Sequence, residues 1–373
     1  MKTLLERIQD NLSQDLLKPQ YKNHEHLVLD FENGVNAIYG KNGIGKTNVL
    51  DAIHYLCNGK SYFTNADSKV ISKGKDELSV KGIFALEDGS EHEILIQFGN
   101  KKTISQNKKK LKRLIDHIGN FPVVMVTPTD VALIYDDSKE RRRFMDMVLC
   151  QVDSQYLYNL STYKKALDQR NKILKQMAEK NMNDTSLLDA YTQKLIAPGQ
   201  MIAEIRKQFI IDFQPLFLQA YENIAKEISL ISFDYKSDVD DIVSMEELLQ
   251  SSKAIDMRAG RTTKGIHKDD LLFTLEGEPL KRFASQGQIK SFLIALKIAK
   301  FDYLYSKTGK KPLLLLDDIF EKIDEERAQN LMEMVGETHF GQIFVSDTHE
   351  SRLENHIYGL NTSVKLIPLA HGK

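Results

Sequence analysis

Between residues 27 and 126 the chain alternates short apolar runs with polar turns. These runs mix Val, Ile, Leu and Phe with polar positions and are bounded by Gly, Asn and Asp, a pattern that indicates β-strands. Strands are therefore predicted at LVLDF (27–31), VNAIY (35–39), LSVKGIFAL (78–86), EHEILIQF (91–98) and PVVMV (122–126). A helical run from about Lys46 to Leu56 interrupts them.

Helical periodicity replaces this alternation from Lys139 to about Lys226. One apolar set recurs at heptad-like spacing on a single helix face, although the segment is too short for a long coiled coil: Leu160, Tyr163, Leu167, Leu174 and Met177. A second helical run crosses Pro198-Gly199. Because proline lacks the amide hydrogen that a helix needs, this run is expected to kink or break near Ala197.

Strand and helix patterns alternate again after about Ile255. They predict strands at LLFTL (271–275), LLLL (313–316) and IFVS (343–346), and a helix from Gln288 to about Leu304. The order predicts an α/β fold, a mixed sheet with helices, that is divided in sequence by an inserted helical lobe. The expected boundaries are 1–138 for the first part, 139–255 for the insertion and 256–373 for the second part.

Composition and charge exclude several classes of protein. The 373 residues are 42% hydrophobic and 28% charged, which is ordinary for a globular protein long enough for two lobes. No apolar run is long enough to span a membrane, so neither membrane insertion nor export is expected. Cys57 and Cys150 are isolated, which argues against a disulfide framework or a zinc site and fits a cytoplasmic protein.

A phosphate-binding loop is the most specific motif. Gly40-Lys41-Asn42-Gly43-Ile44-Gly45-Lys46-Thr47 matches GxxxxGK[ST], follows the strand VNAIY and opens a helical run. Glycines let backbone N–H groups point at phosphate oxygens, and the helix N-terminus favours an anion. Lys46 is expected to neutralise the β- and γ-phosphates of ATP and to take part in catalysis, and Thr47 to offer its hydroxyl to Mg²⁺.

Two later segments complete a candidate site for ATP hydrolysis. The run Leu313–Leu316 leads directly into Asp317-Asp318, as a buried strand of a parallel sheet does at its carboxyl end. Asp317 is assigned to Mg²⁺ and Asp318 to the attacking water. Ser285 and Gly287 of the SQGQ segment stand at another helix N-terminus, where they either grip a phosphate or simply cap the helix.

The order of these motifs is that of the ABC ATPases, and the chain resembles the RecF family of the ABC/SMC superfamily from about Tyr21 to Leu369. The resemblance is carried by YKNHEHLVLDF, NAIYGKNGIGKTNVLDAIHYLCNGKSY, VTPTDVALI with ERRRFMD, GIHKDDLLF, SQGQIKSFLIALKIAK and LLLLDDIFEKID. It implies an ABC-type ATPase lobe with an inserted helical lobe. It also implies that two chains enclose two ATP molecules, with Ser285 of each chain acting on the ATP of the other.

The resemblance assigns roles to further residues. Lys22 and Asn23 are expected near the base or sugar of ATP, Thr129 and Asp130 in the loop that leads to the helical lobe, and His349 or the neighbouring Thr348 at the γ-phosphate. The chain departs from the family pattern at several places. DLLKPQ (15–20) is a poor first strand, because Pro19 lacks a ladder donor, and Phe63 stands where arginine is common. Ile266 stands where proline is common, and Pro198-Gly199 is atypical.

The resemblance further implies an ATP-dependent DNA clamp that serves recombinational repair of gapped DNA, replication restart and the damage (SOS) response. RecR and RecO are the implied protein partners, and duplex DNA and junctions of single-stranded with duplex DNA are the implied substrates. The ATPase is expected to be slow and stimulated by DNA. Two alternatives remain open at this point: an ATPase subunit of an ABC transporter, and an SMC-like structural protein that does not hydrolyse ATP.

The net charge of −1 means that any DNA site must be a local patch. Residues 101–113 contain the densest basic cluster, without an intervening acid. The segment is either a DNA contact or a solvated hairpin tip. The candidate DNA-binding residues are Lys108, Lys109, Lys110 and Lys112.

Overall fold

The computed structural model describes residues 21–24, 27–64, 66–72, 74–86, 89–180, 184–226, 230–240, 242–320, 325–336, 340–357 and 360–370. The doubtful first strand at 15–20 and the segment 322–324, which the sequence pattern includes after the acidic strand end, lie outside these residues.

A five-stranded parallel sheet forms the centre of the fold, in the order β12-β1-β11-β10-β6. Its strands come from both ends of the chain and are buried on both faces in most positions, which explains why they are continuous apolar runs. Their bounds are β1 Val35–Tyr39, β6 Val123–Val126, β10 Leu313–Leu316, β11 Ile343–Asp347 and β12 Val364–Pro368.

Two antiparallel sheets flank this centre. The first, in the order β2-β3-β4-β5, alternates buried and exposed positions because one of its faces meets solvent. It contains β2 Leu78–Ala85, β3 Glu91–Phe98, β4 Thr103–Gln106 and β5 Lys109–Lys110. The second contains β7 Ile231–Lys236, β8 Asp270–Leu275 and β9 Glu278–Pro279.

The α-helices of the described residues are α1 Lys46–Asn58, α2 Ala132–Tyr135, α3 Ser138–Val152, α4 Ser154–Lys180, α5 Ser186–Ala225, α6 Met245–Ala259, α7 Leu280–Phe283, α8 Gln286–Thr308, α9 Glu325–Gly336 and α10 Glu350–Ile357. Helices α4, α5 and α6 pack together as the helical lobe, and α5 also packs against α8. One apolar core joins this lobe to one face of the central sheet, and a second core lies between the other face, α1 and the β2-β3-β4-β5 sheet.

The predicted α/β class and inserted helices are confirmed, and the strands predicted at VNAIY, EHEILIQF and LLLL have the predicted bounds. The division at 139, 255 and 256 stays a prediction. Strand β7 lies inside the predicted insertion, but it pairs with β8, which lies after the insertion. Chain order alone therefore does not separate the lobes.

The strand predicted at LVLDF is wrong, and so is the break predicted at Pro198-Gly199, where the alternative of a kink stays a prediction. LVLDF lies outside the sheets; Leu27, Leu29 and Phe31 pack on the core while Val28 is 81% exposed, so the alternation reflects packing without ladder bonds. Pro198-Gly199 does not break the second helical run, because α5 continues through it to Ala225.

Packing explains why α5 tolerates this dipeptide. Gly199 is buried, and an added Cβ there would lie 3.0 Å from Met245 and 3.1 Å from Tyr163, so neighbouring helices approach the backbone closely. Leu195 and Ile202, on either side, are fully buried. Burial of this face outweighs the roughly 3 kcal/mol that an interior proline costs a helix.

A fully buried ion pair holds the outer part of the helical lobe. Arg170 of α4 donates from Nη1 to Asp256 of α6 at 2.8 Å, and both side chains have no solvent exposure. Asp256 also accepts hydrogen bonds from the backbone N–H and the hydroxyl of Thr263, at 2.8 and 2.6 Å. The pair thereby joins two helices to the loop that follows α6.

Replacing Asp256 with alanine is expected to destabilise the protein by about 3–5 kcal/mol, because the Arg170 guanidinium would stay buried without its counter-charge. Chemical denaturation followed by circular dichroism measures the change. The double variant Arg170→Met/Asp256→Leu is the matched control and should recover most of that stability, since it buries no charge. Unchanged stability of Asp256→Ala would contradict this account.

Candidate functional site

The parallel register brings three chain segments to the same edge of the central sheet. Tyr39, the last residue of β1, is opposite Asp347 at the end of β11, and Leu316 of β10 is opposite Val345. The phosphate loop, the Asp317-Asp318 pair and the His349 segment therefore leave the sheet side by side. Ligands of parallel α/β sheets bind at this edge.

The phosphate loop has the backbone that its glycines predict. Gly40, Gly43 and Gly45 have positive φ of 153°, 80° and 106°. At Gly45 a Cβ would also lie only 2.3–2.6 Å from the side chains of Asn23 and His24, so glycine is required there by conformation and by space. The Lys46 ammonium donates to the Gly40 carbonyl at 2.9 Å, so it lies across the loop whose backbone would surround a phosphate.

Asn23 and His24 fasten the phosphate loop from the outside. The Asn23 amide donates to the Ile44 carbonyl at 3.1 Å, and His24 Nε2 lies 3.0 Å from the Gly45 carbonyl. These contacts use backbone carbonyls of the loop and none of its N–H groups, which are the groups that bind an anion. Within the loop the Ile44 N–H donates to the Lys41 carbonyl at 3.2 Å. Lys41, Asn42 and Gly43 form the exposed tip of the loop.

A hydrogen-bonded chain joins the phosphate loop to the acidic strand end. Thr47 donates its hydroxyl to Asp317 at 3.0 Å, and Ser346 of β11 donates to the same carboxylate at 2.8 Å. Ser346 Oγ accepts in turn from the Asp318 backbone N–H at 3.0 Å. Asp318 has a positive φ of 44°, an unusual conformation for a non-glycine residue.

The electrostatics of Asp317 favour a cation beside it. Burial raises the pKa of its carboxyl to about 6, and the neighbouring Asp318 carboxylate acts in the same direction. Hydrogen bonds from Ser346 and Thr47 oppose the shift. A hydroxyl and a carboxylate oxygen are the hard donors that Mg²⁺ takes alongside substrate phosphates, so these residues fit a magnesium site. Within the described ranges no cluster of three or more His, Cys, Asp or Glu residues forms a metal site made by protein side chains alone.

Lys22 lies beside the phosphate loop in a polar network around Asp51 of α1. Its ammonium pairs with Asp51 at 2.7 Å and lies 5.1 Å from the Phe63 ring centroid. Tyr21 and Ser61 also donate to this buried carboxylate, at 2.6 and 2.7 Å. The assignment of Lys22 to the base or sugar stays a prediction. At Phe63, where the resemblance led us to note the missing arginine, the ammonium of Lys22 lies over the aromatic ring.

A second buried network joins α8 to β6 and to the loop that follows β6. Lys297 of α8 donates to Asp130 at 2.7 Å, to the Tyr62 hydroxyl at 2.7 Å and to the Met125 carbonyl at 2.9 Å. Tyr62 also donates to Asp130. Burial lowers the pKa of Lys297, while the Asp130 carboxylate opposes the shift. Asp130, Tyr62 and Lys297 line a cavity of about 280 Å³ with Thr129.

The structure does not join the SQGQ segment to the phosphate loop within one chain. Ser285 is exposed and caps α8: its hydroxyl accepts from the Gln288 backbone N–H at 3.1 Å, and its own N–H donates to the Gln288 side chain at 2.9 Å. Gly287 faces the guanidinium of Arg327. His349 follows β11, with its backbone N–H donating to Asp347 at 2.9 Å.

The basic segment forms a hairpin tip. Asn107 and Lys108 have positive φ of 50° and 63°, as a tight turn between β4 and β5 requires. Lys108, Lys109, Lys110 and Lys112 are all exposed. This geometry is compatible with both sequence-based interpretations, so DNA contact stays a prediction.

Sequence reasoning missed four residues that build the site: His24, Asp51, Ser346 and Lys297. Their partners lie outside the local sequence pattern, from 10 positions away for Asp51 and Ser61 to 167 positions for Lys297 and Asp130. Lys297 had one available signal, since it is a charged residue within the otherwise apolar stretch FLIALKIA (292–299). Ser346, inside IFVS, had none.

Comparison with known proteins agrees with this geometry. The family model for the RecF/RecN/SMC N-terminal domain matches residues 14–366. DNA replication and repair protein RecF of Flavobacterium johnsoniae is 40% identical over 353 residues, 94% of this chain and 97% of that protein. RecF of Bacteroides fragilis is 39% identical over 354 residues, 94% and 95% of the two chains.

Solved structures give the same result. One described as the recombination mediator protein RecF-ATPrS in the RecFOR pathway matches with a TM-score of 0.83 and 27% identity, covering 93% of this chain and 94% of that one. An Smc head domain from Pyrococcus furiosus matches with a TM-score of 0.52 and 16% identity, which shows a common fold. Among the described residues no helix is long and apolar enough to cross a bilayer.

The match over nearly the full length, the phosphate loop tied to an acidic strand end, and the parallel sheet that positions both show that the chain belongs to the RecF family of ABC/SMC ATPases.

Proposed function

We propose that this chain is an ATP-gated DNA clamp: ATP and Mg²⁺ join two copies of it on DNA, and slow hydrolysis releases the DNA. The hydrogen bond between Thr47 of the phosphate loop and Asp317 of the acidic strand end carries the proposal, because it brings two ligands suited to Mg²⁺ together at the phosphate loop. The relatives are DNA replication and repair proteins, and one solved relative is described as RecF-ATP, which favours a clamp over a transporter subunit.

Each residue of the site has its own proposed role in ATP binding or hydrolysis. The loop Gly40–Thr47 would hold the phosphates with backbone N–H groups, and Lys46 would exchange the Gly40 carbonyl for a phosphate oxygen. Thr47 and Asp317 would hold Mg²⁺, which supplies charge stabilisation of the transferring phosphoryl group. Asp318, next along the chain, would orient the attacking water. The finer setting, gap repair with RecR and RecO, is part of the same proposal.

Because Ser285 is exposed and is not joined to its own phosphate loop, we place it against the ATP of a second copy. Ser285→Arg should leave ATP binding by the monomer intact and abolish ATP-dependent dimerisation, because a bulky cation would replace the hydroxyl at the interface. Size-exclusion chromatography with light scattering, with ATP, ADP or a non-hydrolysable analogue, measures the effect.

Ser244→Arg is the matched control. Ser244 caps α6 with the same reciprocal bonds, here to Glu247, so the variant removes an equivalent helix cap away from the proposed interface. It should still dimerise with ATP. Lys46→Ala should lose ATP binding altogether, because it lacks the ammonium that neutralises the ATP phosphates. If Ser285→Arg dimerises normally, the SQGQ segment serves only as a helix cap.

Asp318→Asn should keep ATP and Mg²⁺ but lower the rate of ATP turnover by about 100-fold or more, because the water would lose its orienting carboxylate while Asp317 still holds the metal. DNA-bound dimers should then accumulate. Phosphate release and DNA retention are measured together. Turnover at the normal rate would show that a residue other than Asp318 orients the water.

Replacing Lys108, Lys109, Lys110 and Lys112 with glutamine should flatten the slope of log affinity against log salt by roughly 0.9 for each DNA phosphate that these lysines neutralise. Preference among DNA sequences should barely change, because phosphate contacts do not read bases. Titration of duplex DNA at several salt concentrations tests this, with ATP binding as the control. An unaltered slope would identify the four lysines as a solvated hairpin tip.

A further inference from the structure

A basic strap crosses the helical lobe far along the chain from the lysine hairpin. The strap is residues 258–268, RAGRTTKGIHK, which connect α6 to β8 and contain no acid. Its arginines and lysines recur every three or four positions, and all of them are exposed. They are Arg258, Arg261, Lys264 and Lys268.

The strap runs antiparallel along α4. Its first part lies at the far end of that helix, where a Cβ on Gly260 would be 3.8 Å from the Cα of Lys175. Its middle is bonded to Asn171, whose side-chain oxygen accepts from the N–H and the hydroxyl of Thr262 at 2.8 and 2.7 Å. Its last part reaches Tyr163, whose hydroxyl is 2.9 Å from His267 Nδ1.

This path covers about 22 Å of α4, at a rise of roughly 1.5 Å for each residue from Tyr163 to Ala178. Over the same length of axis a duplex carries about 13 phosphate charges, at one for every ~1.7 Å. The strap is therefore long enough to follow a segment of DNA backbone, of which its four cations could neutralise a few phosphates.

Buried bonds fix the course of the strap. The fully buried Asp256 accepts from Thr263, and the fully buried Arg170 donates to Thr262 at 2.7 Å. Here the buried bonds hold the backbone while the long basic side chains stay exposed to solvent, so the ordering entropy that binding a ligand would cost is smaller.

Most of the strap's charge is available to a ligand. Within the described part of the chain, Arg258, Arg261 and Lys268 form no ion pair, while Lys264 pairs with Asp238 at 2.8 Å. Along α4 the exposed Lys172 and Lys175 add positive charge, which the exposed Asp168 opposes, and the Lys175 ammonium is 3.9 Å from Glu179. The local excess is positive in a chain whose net charge is −1.

We infer that this strap is a second contact for the phosphate backbone of duplex DNA, on the helical lobe. The inference rests on the proposed function, because it assumes that the chain binds DNA at all. The strap would position the duplex without reading its sequence, since arginine and lysine at phosphates carry no base information. It extends the DNA path from the ATPase lobe onto the inserted helices.

The triple variant Arg258→Gln/Arg261→Gln/Lys268→Gln tests the inference. With a labelled duplex and a non-hydrolysable ATP analogue, its slope of log affinity against log salt should be flatter than that of the unmodified chain by up to about 2.7, at roughly 0.9 for each phosphate neutralised. ATP-dependent dimerisation should persist, because these exposed side chains take no part in the buried anchors.

Lys69→Gln/Lys194→Gln/Lys310→Gln is the charge-matched control, since it removes three exposed lysines that lie elsewhere. Its slope should equal that of the unmodified chain. If the strap variant behaves like this control while the unmodified chain binds DNA, the strap proposal is wrong and its charge serves another polyanion, such as an acidic protein segment. If the unmodified chain does not bind duplex DNA, the proposed function fails first, and the strap proposal with it.

Discussion

The common carboxyl edge of β1, β11 and β10 is the constraint on which the site depends. Each strand is buried and ends in a polar segment, so correct parallel pairing also positions the chemistry. The Thr47–Asp317 hydrogen bond joins residues 270 positions apart, and Ser346 supports it from the strand between them. A shift of β11 along its neighbours would remove the hydroxyl that holds both Asp317 and the backbone of Asp318.

Buried charges then fix α5 and α8 against their neighbours. Arg206 of α5 contacts Asp146 and Asp269 at 2.9 and 2.6 Å, and Lys297 of α8 contacts Asp130 at 2.7 Å. Separating either partner would leave a charge in a low-dielectric environment at a cost of about 3–5 kcal/mol. Helix α5 is therefore held against α3 and the segment before β8, and α8 against the loop after β6, by polar bonds whose geometry is specific, as well as by an apolar core that would tolerate some sliding.

Local chemistry was predictable from the sequence, and long-range chemistry was not. The phosphate loop depends on glycines and a lysine within eight positions, and the strand VNAIY on its own composition, so both were found. Pro198 was misjudged because tertiary packing outweighed its local preference. Asp51 and Ser346 look ordinary in sequence, since their importance arises only when Lys22 or Asp317 is brought to them by the fold.

The continuity of α5 through Pro198 makes this helix a lever. Phe217, near one end, packs against Phe292 of α8, the helix that Ser285 caps, with ring centroids 4.8 Å apart. Leu188, near the other end, is buried at the outer end of the lobe. These two residues are about 44 Å apart along the axis. If α5 moved as one rigid rod, a tilt of about 10° at α8 would displace the outer end by roughly 8 Å, because the displacement grows with the length of the helix.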